Sequence, residues 1–320
     1  VSSDYEDALV NEFGRFDKAR FVIYQERRHI FVCGGLVDVC NPSASFRGWL
    51  MDYTSTSEEE IHDQLVLAEN FKDYFRENTF TDLLVFEDEI AKISSLIVLF
   101  LESPGSLVEL GMFSCRPEFY KKLLIVSPAK ETESEDSFIY LGPLEYIRKK
   151  EENSVITYEW PKGENLDRAL LLDLCDNIKR KLSKSNDTAI FDEDNSAHIA
   201  LLLLEIIRLS YPVLITEMER VLEVLGLTQH SHQTKRCLYL LEKLGRVKKY
   251  KFGNVDYYYP LHKSEKTLGW GKTKDNKTAE ANNIIVALKS SFVLSDSSSA
   301  AKRKSVLEKI NALMDAGGDA

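Results

Sequence analysis

The run Ser95-Leu-Ile-Val-Leu-Phe-Leu-Glu-Ser-Pro-Gly-Ser-Leu-Val-Glu109-Leu-Gly-Met-Phe113 constrains this chain more than any other part of it. Leu96 to Leu101 is an unbroken apolar stretch of strand length, the pattern of a parallel strand covered on both faces. Pro104 and Gly105 interrupt it, and Ser106-x-x-Glu109 opens a helix with a carboxylate in its first turn. Open α/β sheets place their sites just beyond the carboxyl ends of strands. Glu109 is therefore a helix cap or the reactive group of a pocket. As a cap it forms a capping box with Ser106. As a reactive group it is kept ionised by the helix N-terminus, the form that attacks or shields a sugar carbon. The two readings are compatible.

The rest of the chain alternates in the same way. Residues 1–28 form an amphipathic helix (Tyr5, Leu9, Phe13, Phe16) leading into a strand, and Ile30 to Gly35 is a strand with a Gly-Gly turn. Residues 36–57 read as irregular; Glu58 to Glu77 and Thr81 to Ile93 read as helices. Lys121 to Pro128 is a buried strand, Ala129 to Asp136 a surface loop, Tyr140 the start of a short helix, and Val155 to Glu159 a last strand. The expectation is an α/β domain over 1–182 with a doubly wound parallel sheet, ending in a helix from Asn165 to Leu182. A polar linker, 183–195, leads to helices at Ala197–Leu209, Thr216–Leu225 and Gln233–Leu244, then a hairpin turning at Gly253-Asn254. Three helices and a hairpin are the order of a winged helix-turn-helix, expected over 196–266. Residues 267–320 read as a flexible tail with a terminal helix from Ala301 to Met314.

Length and charge agree with two domains. At ~100–200 residues per domain, 320 residues suffice for about two, and a hydrophobic fraction of 44% suits a sizeable core. No run of 18 apolar residues exists, so no membrane span is expected, and the acidic N-terminus lacks the features of a signal peptide. Five scattered cysteines without a Cys-x-x-Cys pair favour free thiols in a reducing cytoplasm, and His230 and His232 give no zinc spacing. The net charge of −10 hides a division: residues 231–280 carry +7 and the remainder −17. That split suggests a basic surface for a polyanion, or simply a solvated face.

Candidate site residues follow from these placements. Gly34 and Gly35 permit close backbone approach of a ligand, or make only a turn. Arg47 is suited to a phosphate, or to plain exposure; Trp49 stacks on a base or fills core. Glu87, and more weakly Asp38, accept ribose hydroxyls or lie on solvated faces. In the second domain Gln233, Lys235 and Arg236 begin the third helix, where a recognition helix meets bases or phosphates, and Lys248, Lys249 and Lys251 lie on the wing. The alternative for that domain is a winged helix that binds protein.

Three blocks carry a resemblance: Phe31-Val-Cys-Gly-Gly35, Leu99 to Phe113, and Ser137 to Lys149. Together they resemble bacterial anti-phage retron effectors that join a nucleoside deoxyribosyltransferase-like domain to a winged-helix domain. The resemblance covers about the first 150 residues; the second half is similar mainly in expected fold. It implies a toxic effector controlled by a reverse transcriptase and its multicopy single-stranded DNA, and cleavage of an N-glycosidic bond in NAD+ or another nucleotide. It implies that Glu109 is the catalytic carboxylate, that Glu87 binds ribose, and that Gly105 and Ser106 form the turn beside the substrate. It carries no cofactor and no metal, and it implies a homo-oligomer or larger assembly. The chain departs from ordinary nucleoside deoxyribosyltransferases in two places. Glu102-Ser-Pro-Gly-Ser106 stands where an acidic residue and Gly-Thr are usual, and Val32-Cys-Gly-Gly35 replaces Tyr-x-Ala-Gly. Hydrolysis is therefore expected over base exchange. A cationic nicotinamide leaves without a general acid, which suits a site with one obvious carboxylate. The competing readings are a nucleotide-sensing DNA-binding regulator without turnover, and a transferase of ADP-ribose or deoxyribose.

Overall fold

The apolar run 96–101 is buried by a five-stranded parallel sheet. The computed structural model describes residues 4–38, 40, 44–71, 79–80, 82–129, 138–160, 167–184, 188–227 and 231–316. Two units divide the chain: unit 1 is Val1–Arg27, Tyr74–Thr81 and Asp187–Ala320, and unit 2 is Arg28–Asp73 and Asp82–Asn186. Helix α1 (Asp4–Phe13) and strand β1 (Val22–Tyr24) open the chain in unit 1. Unit 2 follows with β2 (Ile30–Cys33), α2 (Phe46–Ser57), α3 (Glu59–His62), β3 (Leu65–Leu67), α4 (Leu83–Ile93) and β4 (Leu96–Phe100). It continues with α5 (Pro104–Ser114), β5 (Leu123–Pro128), α6 (Glu145–Lys150), β6 (Val155–Tyr158) and α7 (Arg168–Ser183). The strands pair in the order β3-β2-β4-β5-β6, all parallel. Strand addition reverses direction between β2 and β4, an order compatible with a doubly wound fold.

Residue parity assigns the faces. Ile30, Val32, Leu96, Val98, Phe100, Leu124 and Val126 share a core with Phe46 and Leu50 of α2 and Leu171, Leu174 and Ile178 of α7. Their neighbours Phe31, Cys33, Ile97, Leu99 and Ile125 point the other way and are also buried. All of β4 is buried, which is why its sequence lacks polar alternation.

Two sequence expectations give way here. The region expected to be irregular contains α2, whose N-cap Ser45 accepts from the Gly48 N–H at 2.8 Å. Gly48 and the Thr-Ser-Thr-Ser end mask its periodicity. The helix expected from Glu58 stops at His62, because Leu65–Leu67 pair with Ile30–Val32 as an edge strand. Three residues are too few to show alternation. The later part of that helix, and residues 130–136 of the expected loop, lie outside the described residues. Thr81 does also; α4 starts after Asp82, which caps it by accepting from Val85 N–H at 2.8 Å.

One carboxylate ties the switch point together. Glu102, just past β4, accepts from Gly35 N–H (2.9 Å) beyond β2 and from Phe46 N–H (2.7 Å) and Arg47 N–H (3.1 Å) of α2. With Ser45 on Gly48, the first three donors of α2 are satisfied. The helix N-terminus also favours the negative charge. Gly34 has φ +156°, and a Cβ there would lie 2.9 Å from Glu102 Oε1 and from Phe100 Cβ.

Unit 1 continues with β7 (Thr188–Ile190), α8 (Ser196–Ser210), α9 (Ile215–Val224), α10 (Ser231–Lys243), β8 (Val247–Phe252) and β9 (Val255–Pro260). It ends with β10 (Leu268–Gly269), α11 (Ala281–Val293) and α12 (Ser298–Ala316). Strand β1 pairs antiparallel with β7 and β10. Helix α8 is apolar around most of its circumference and is buried accordingly. The β8–β9 hairpin turns at Gly253-Asn254, with Gly253 at φ +63°. On one hairpin face Tyr250, Phe252, Tyr257 and Tyr259 pack against Val306 and Ile310 of α12.

These placements revise the expected domain limits. Residues 1–27 belong to the unit containing α8–α10, and residues 188–190 of the expected linker form a strand with β1. The expected flexible tail holds two helices whose apolar residues, Ile284, Leu288, Phe292, Val306 and Ile310, are buried at helical spacing. The polar stretches that flank these helices, residues 271–280 and 295–299, gave the whole segment the look of a tail. No helix among the described residues is long and apolar enough to cross a membrane. None of the five cysteines forms a disulfide.

Replacing Glu102 with alanine strips three N–H groups of a charged acceptor and should cost about 2–3 kcal/mol in urea unfolding. Arg303 of α12 is buried, donates to Glu217 and to Pro212 O, and lies 3.7 Å from the Tyr5 ring centroid. Arg303→Ala leaves Glu217 buried without its partner and should cost ~3–5 kcal/mol. An unchanged midpoint for Arg303→Ala would mean that α12 contributes nothing to the fold.

Candidate active site

The carboxyl ends of β2, β3 and β4 bring together five side chains. Cys33 ends β2, Glu69 lies in the turn after β3, and Glu109 lies on α5 after β4. Glu87 comes from α4, and Arg47 from α2. Cys33 faces the same side as Phe31, and its thiol hydrogen-bonds Glu109.

Glu109 is not a cap. Helix α5 begins at Pro104, and its capping box joins Ser103 to Ser106: each hydroxyl accepts the other's N–H at 3.1 Å. Ser106 Oγ also accepts Glu102 N–H (3.2 Å) and donates to Ser103 O (2.8 Å). Glu109 thus stands in the second turn, away from the orphan amides. Its Oε2 is buried with no hydrogen-bond partner among the described residues. The helix N-terminus was expected to hold this carboxyl ionised, but burial pushes it up to about 7, helped by the charge of Glu87 and opposed by Arg47. Glu87 is buried and is also pushed up to about 7, by burial first and then by Glu69. Burial and the neighbouring carboxylates raise the Cys33 thiol well above its ordinary value.

The residues expected to receive phosphate are engaged internally. Arg47 is buried; its Nη1 donates to Val32 O (3.2 Å), and both terminal nitrogens donate to Glu69. The Gly35 N–H serves Glu102, and the space left at Gly34 and Gly35 is filled by Glu102 and Ser45. Gly105 is exposed, and a Cβ there would meet only Ser103 Oγ at 3.7 Å, so close approach does not require glycine. Asp38 accepts from Cys40 N–H at 2.9 Å in a local turn, and Trp49 packs against the sheet core.

The sequence reading assigned no role to Glu69, which lies in no recognisable motif, or to Glu102, which was noted only as part of the turn. The Glu102 signal was present as the departure from the usual turn, an acid directly after a buried strand. The cluster therefore joins Glu69 to Glu87 and Glu109, the two carboxylates named from the sequence. Among the described residues, no three His, Cys, Asp or Glu side chains converge as a metal-ligand set.

In unit 1 the basic residues fall into two groups. Lys235, Lys248 and Lys251 are exposed, and Gln233 is half-buried. Lys249 pairs with Glu242 at 2.9 Å, and Arg236 stacks over the Phe80 ring at 5.9 Å. Lys235 and Lys249 line one cavity of about 410 Å³ between α10 and the hairpin, shared with Tyr239, Glu242, Asp256 and Tyr258. Its charge is mixed rather than basic.

Two Escherichia coli proteins are similar to this chain, both named for a combined ribosyltransferase and DNA-binding role in a retron. The retron Ec86 protein is 35% identical over 133 residues, which are 40% of this chain and 39% of the relative. The retron Ec73 protein is 31% identical over 171 residues, 51% of this chain and 52% of the relative. The matches thus span about half or less of each relative's length. The family model described as STM3845 retron effector protein matches residues 43–249, a segment running from just before α2 into β8 that includes Glu69, Glu87, Glu102 and Glu109. The chain belongs to the STM3845 retron effector family.

Proposed function

We propose that this retron effector breaks the N-glycosidic bond of a nucleotide, hydrolysing NAD+ to nicotinamide and ADP-ribose. The observation that carries the reading is the Glu109 carboxylate at the carboxyl end of the parallel sheet, with Oε2 buried and left without a hydrogen bond among the described residues. Structural carboxylates at such depth are normally satisfied; an unsatisfied one is available to a ligand. As nicotinamide departs, positive charge grows on C1′ and the ring oxygen. Ionised Glu109 attacks or shields that centre, water supplies the hydroxyl of ADP-ribose, and its proton passes to solvent. Preorganised charge of this kind contributes ~3–4 kcal/mol, or 10²–10³ in rate. Glu87 contacts the sugar from the buried side. Gly34, Gly35, Gly105 and Ser106 shape the wall and hold the turn, and Arg47 acts through Glu69.

Ribosyl transfer in the names of the relatives supports glycosidic chemistry, and family membership supports association with retron components. We place control of the site with the reverse transcriptase and its multicopy single-stranded DNA, in a homo-oligomer or larger assembly. Exposed Leu107 and Val108 beside Glu109 support such an assembly. Transfer of ADP-ribose to a macromolecule is the alternative outcome; labelled NAD+ would then leave label on a polymer.

Glu109→Gln should lower nicotinamide release at least ~10²-fold with little change in Tm; retention of wild-type turnover refutes the reading. Only the ionised carboxylate acts, so kcat/KM for NAD+ should climb as pH rises through about 7 and then level off. A neutral purine nucleoside would need a proton donor. With Glu87 also titrating at about 7, its profile would be a bell instead.

A second reading concerns unit 1. Helices α8–α10 followed by the β8–β9 hairpin fit a winged helix-turn-helix, and DNA binding in the names of both relatives favours nucleic acid over protein as its partner. Neutralising Lys235, Lys248 and Lys251 should weaken single-stranded DNA binding and flatten its salt slope by about 0.7 per lost phosphate contact. Lys249→Gln should do less, since that charge is already paired with Glu242. An unchanged slope in filter-binding titrations from low to moderate salt would assign the hairpin a protein partner.

A further inference from the structure

Glu69 and Arg47 form an ion pair with one inner and one outer member. The Arg47 side chain is 4% exposed and that of Glu69 is 42% exposed. The guanidinium meets both carboxylate oxygens, Nη2 on Oε1 and Nη1 on Oε2 at 3.5 Å, and is anchored from behind by Val32 O. Arg47 is thus covered by its partner, while Glu69 is fixed at two points with its outer side open. An ionised carboxylate is acceptor-only, with about four lone-pair positions. Two point at Arg47, and the others face outward.

We propose that Glu69 is a specificity-determining residue of this site, accepting hydrogen bonds from the 2′- and 3′-hydroxyls of the reacting ribose and held in position by Arg47. The proposal rests on the glycosidic reading of Glu109. Three observations support it. First, Glu69 influences Glu87, Glu109 and Cys33 electrostatically, so it belongs to the same cluster. Arg47, which holds Glu69, also donates to Val32 O, the residue before Cys33, whose thiol hydrogen-bonds Glu109. Second, Glu69, Glu87 and Glu109 outnumber the single guanidinium of Arg47, so this end of the site repels phosphate and favours hydroxyl donors and cationic groups. Third, the two-point clamp removes rotamer freedom before the ligand arrives, the preorganisation that gives affinity to a long side chain. A carboxylate serving only to neutralise buried Arg47 would meet the first two observations, but it would not distinguish sugars.

The test compares NAD+ with the analogue lacking the 2′-hydroxyl on the nicotinamide ribose. Wild-type protein should prefer NAD+ by at least about 10-fold in kcat/KM for nicotinamide release. Glu69→Gln should bring that ratio to within about threefold of unity through loss on NAD+ alone. Glu69→Asp, which keeps the charge for Arg47 but shortens the reach, should give an intermediate ratio and guards against misfolding of the first variant. A parallel fall on both substrates, with the ratio unchanged, overturns the proposal and leaves Glu69 as a counter-ion of Arg47. If wild type releases base from neither, the glycosidic reading fails separately, and calorimetric binding to Glu109→Gln protein decides the role of Glu69. Tighter binding of NAD+ than of the analogue, abolished by adding Glu69→Gln, supports the proposal; equal binding, or none, overturns it.

Discussion

The hydrogen bonds from three backbone amides to Glu102 are the constraint on which the site depends. At the switch point, the chain beyond β2 and the chain beyond β4 leave the sheet side by side and need something to hold them in register. A single carboxylate does this by accepting from Gly35, Phe46 and Arg47. The same bonds set the first turn of α2, which fixes where Arg47 emerges. Arg47 then fixes Glu69, while the Ser103–Ser106 box sets the first turn of α5 and hence the height of Glu109. A helix N-terminus beside a Gly-Gly turn would ordinarily invite a phosphate. Here the invitation is already answered by the chain itself, and the cluster beyond it is acidic in character.

That character has a cost in stability. Glu87 and Glu109 both have folded-state pKa values of about 7, above the ordinary carboxylate range. The folded protein therefore holds protons that the unfolded chain has already released, and the contribution of this pair to stability declines as pH rises from about 4.5 toward 7. A fold selected for stability alone would place apolar or amide side chains there. Keeping two acids in a half-dry cluster is the pattern of a site arranged for chemistry near neutral pH.

The parts of the fold that were legible in the sequence are those in which one local rule dominates. The continuous apolar run of β4 left no alternative to a doubly covered strand. Gly253-Asn254 between alternating residues defined the hairpin, and α8 was long enough to be unambiguous. Where two rules competed, the sequence misled. Leu65–Leu67 fit a helical spacing and became a strand because β2 needed an edge partner. Phe292 and Ile310 lie on helices flanked by polar stretches yet are buried in unit 1, and nothing local indicates that residues 1–27 belong with them. In the site, Glu109 was recognisable from its position after a strand and turn. Glu69 and Glu102 were not, because their roles depend on partners 22 and 55–67 residues away in sequence.

The path of the chain adds a last consequence. Glu69 and Glu87 both belong to unit 2, but between them the chain leaves that unit and returns, with Thr79 and Phe80 counted in unit 1. There Phe80 is buried, its ring 5.9 Å from that of Tyr239, and Arg236 lies over it. Tyr239 and Arg236 are residues of α10, the helix expected to meet nucleic acid. In sequence Phe80 stands 11 residues after Glu69 and seven before Glu87, so the segment joining these two acids of unit 2 also supplies a buried aromatic of unit 1.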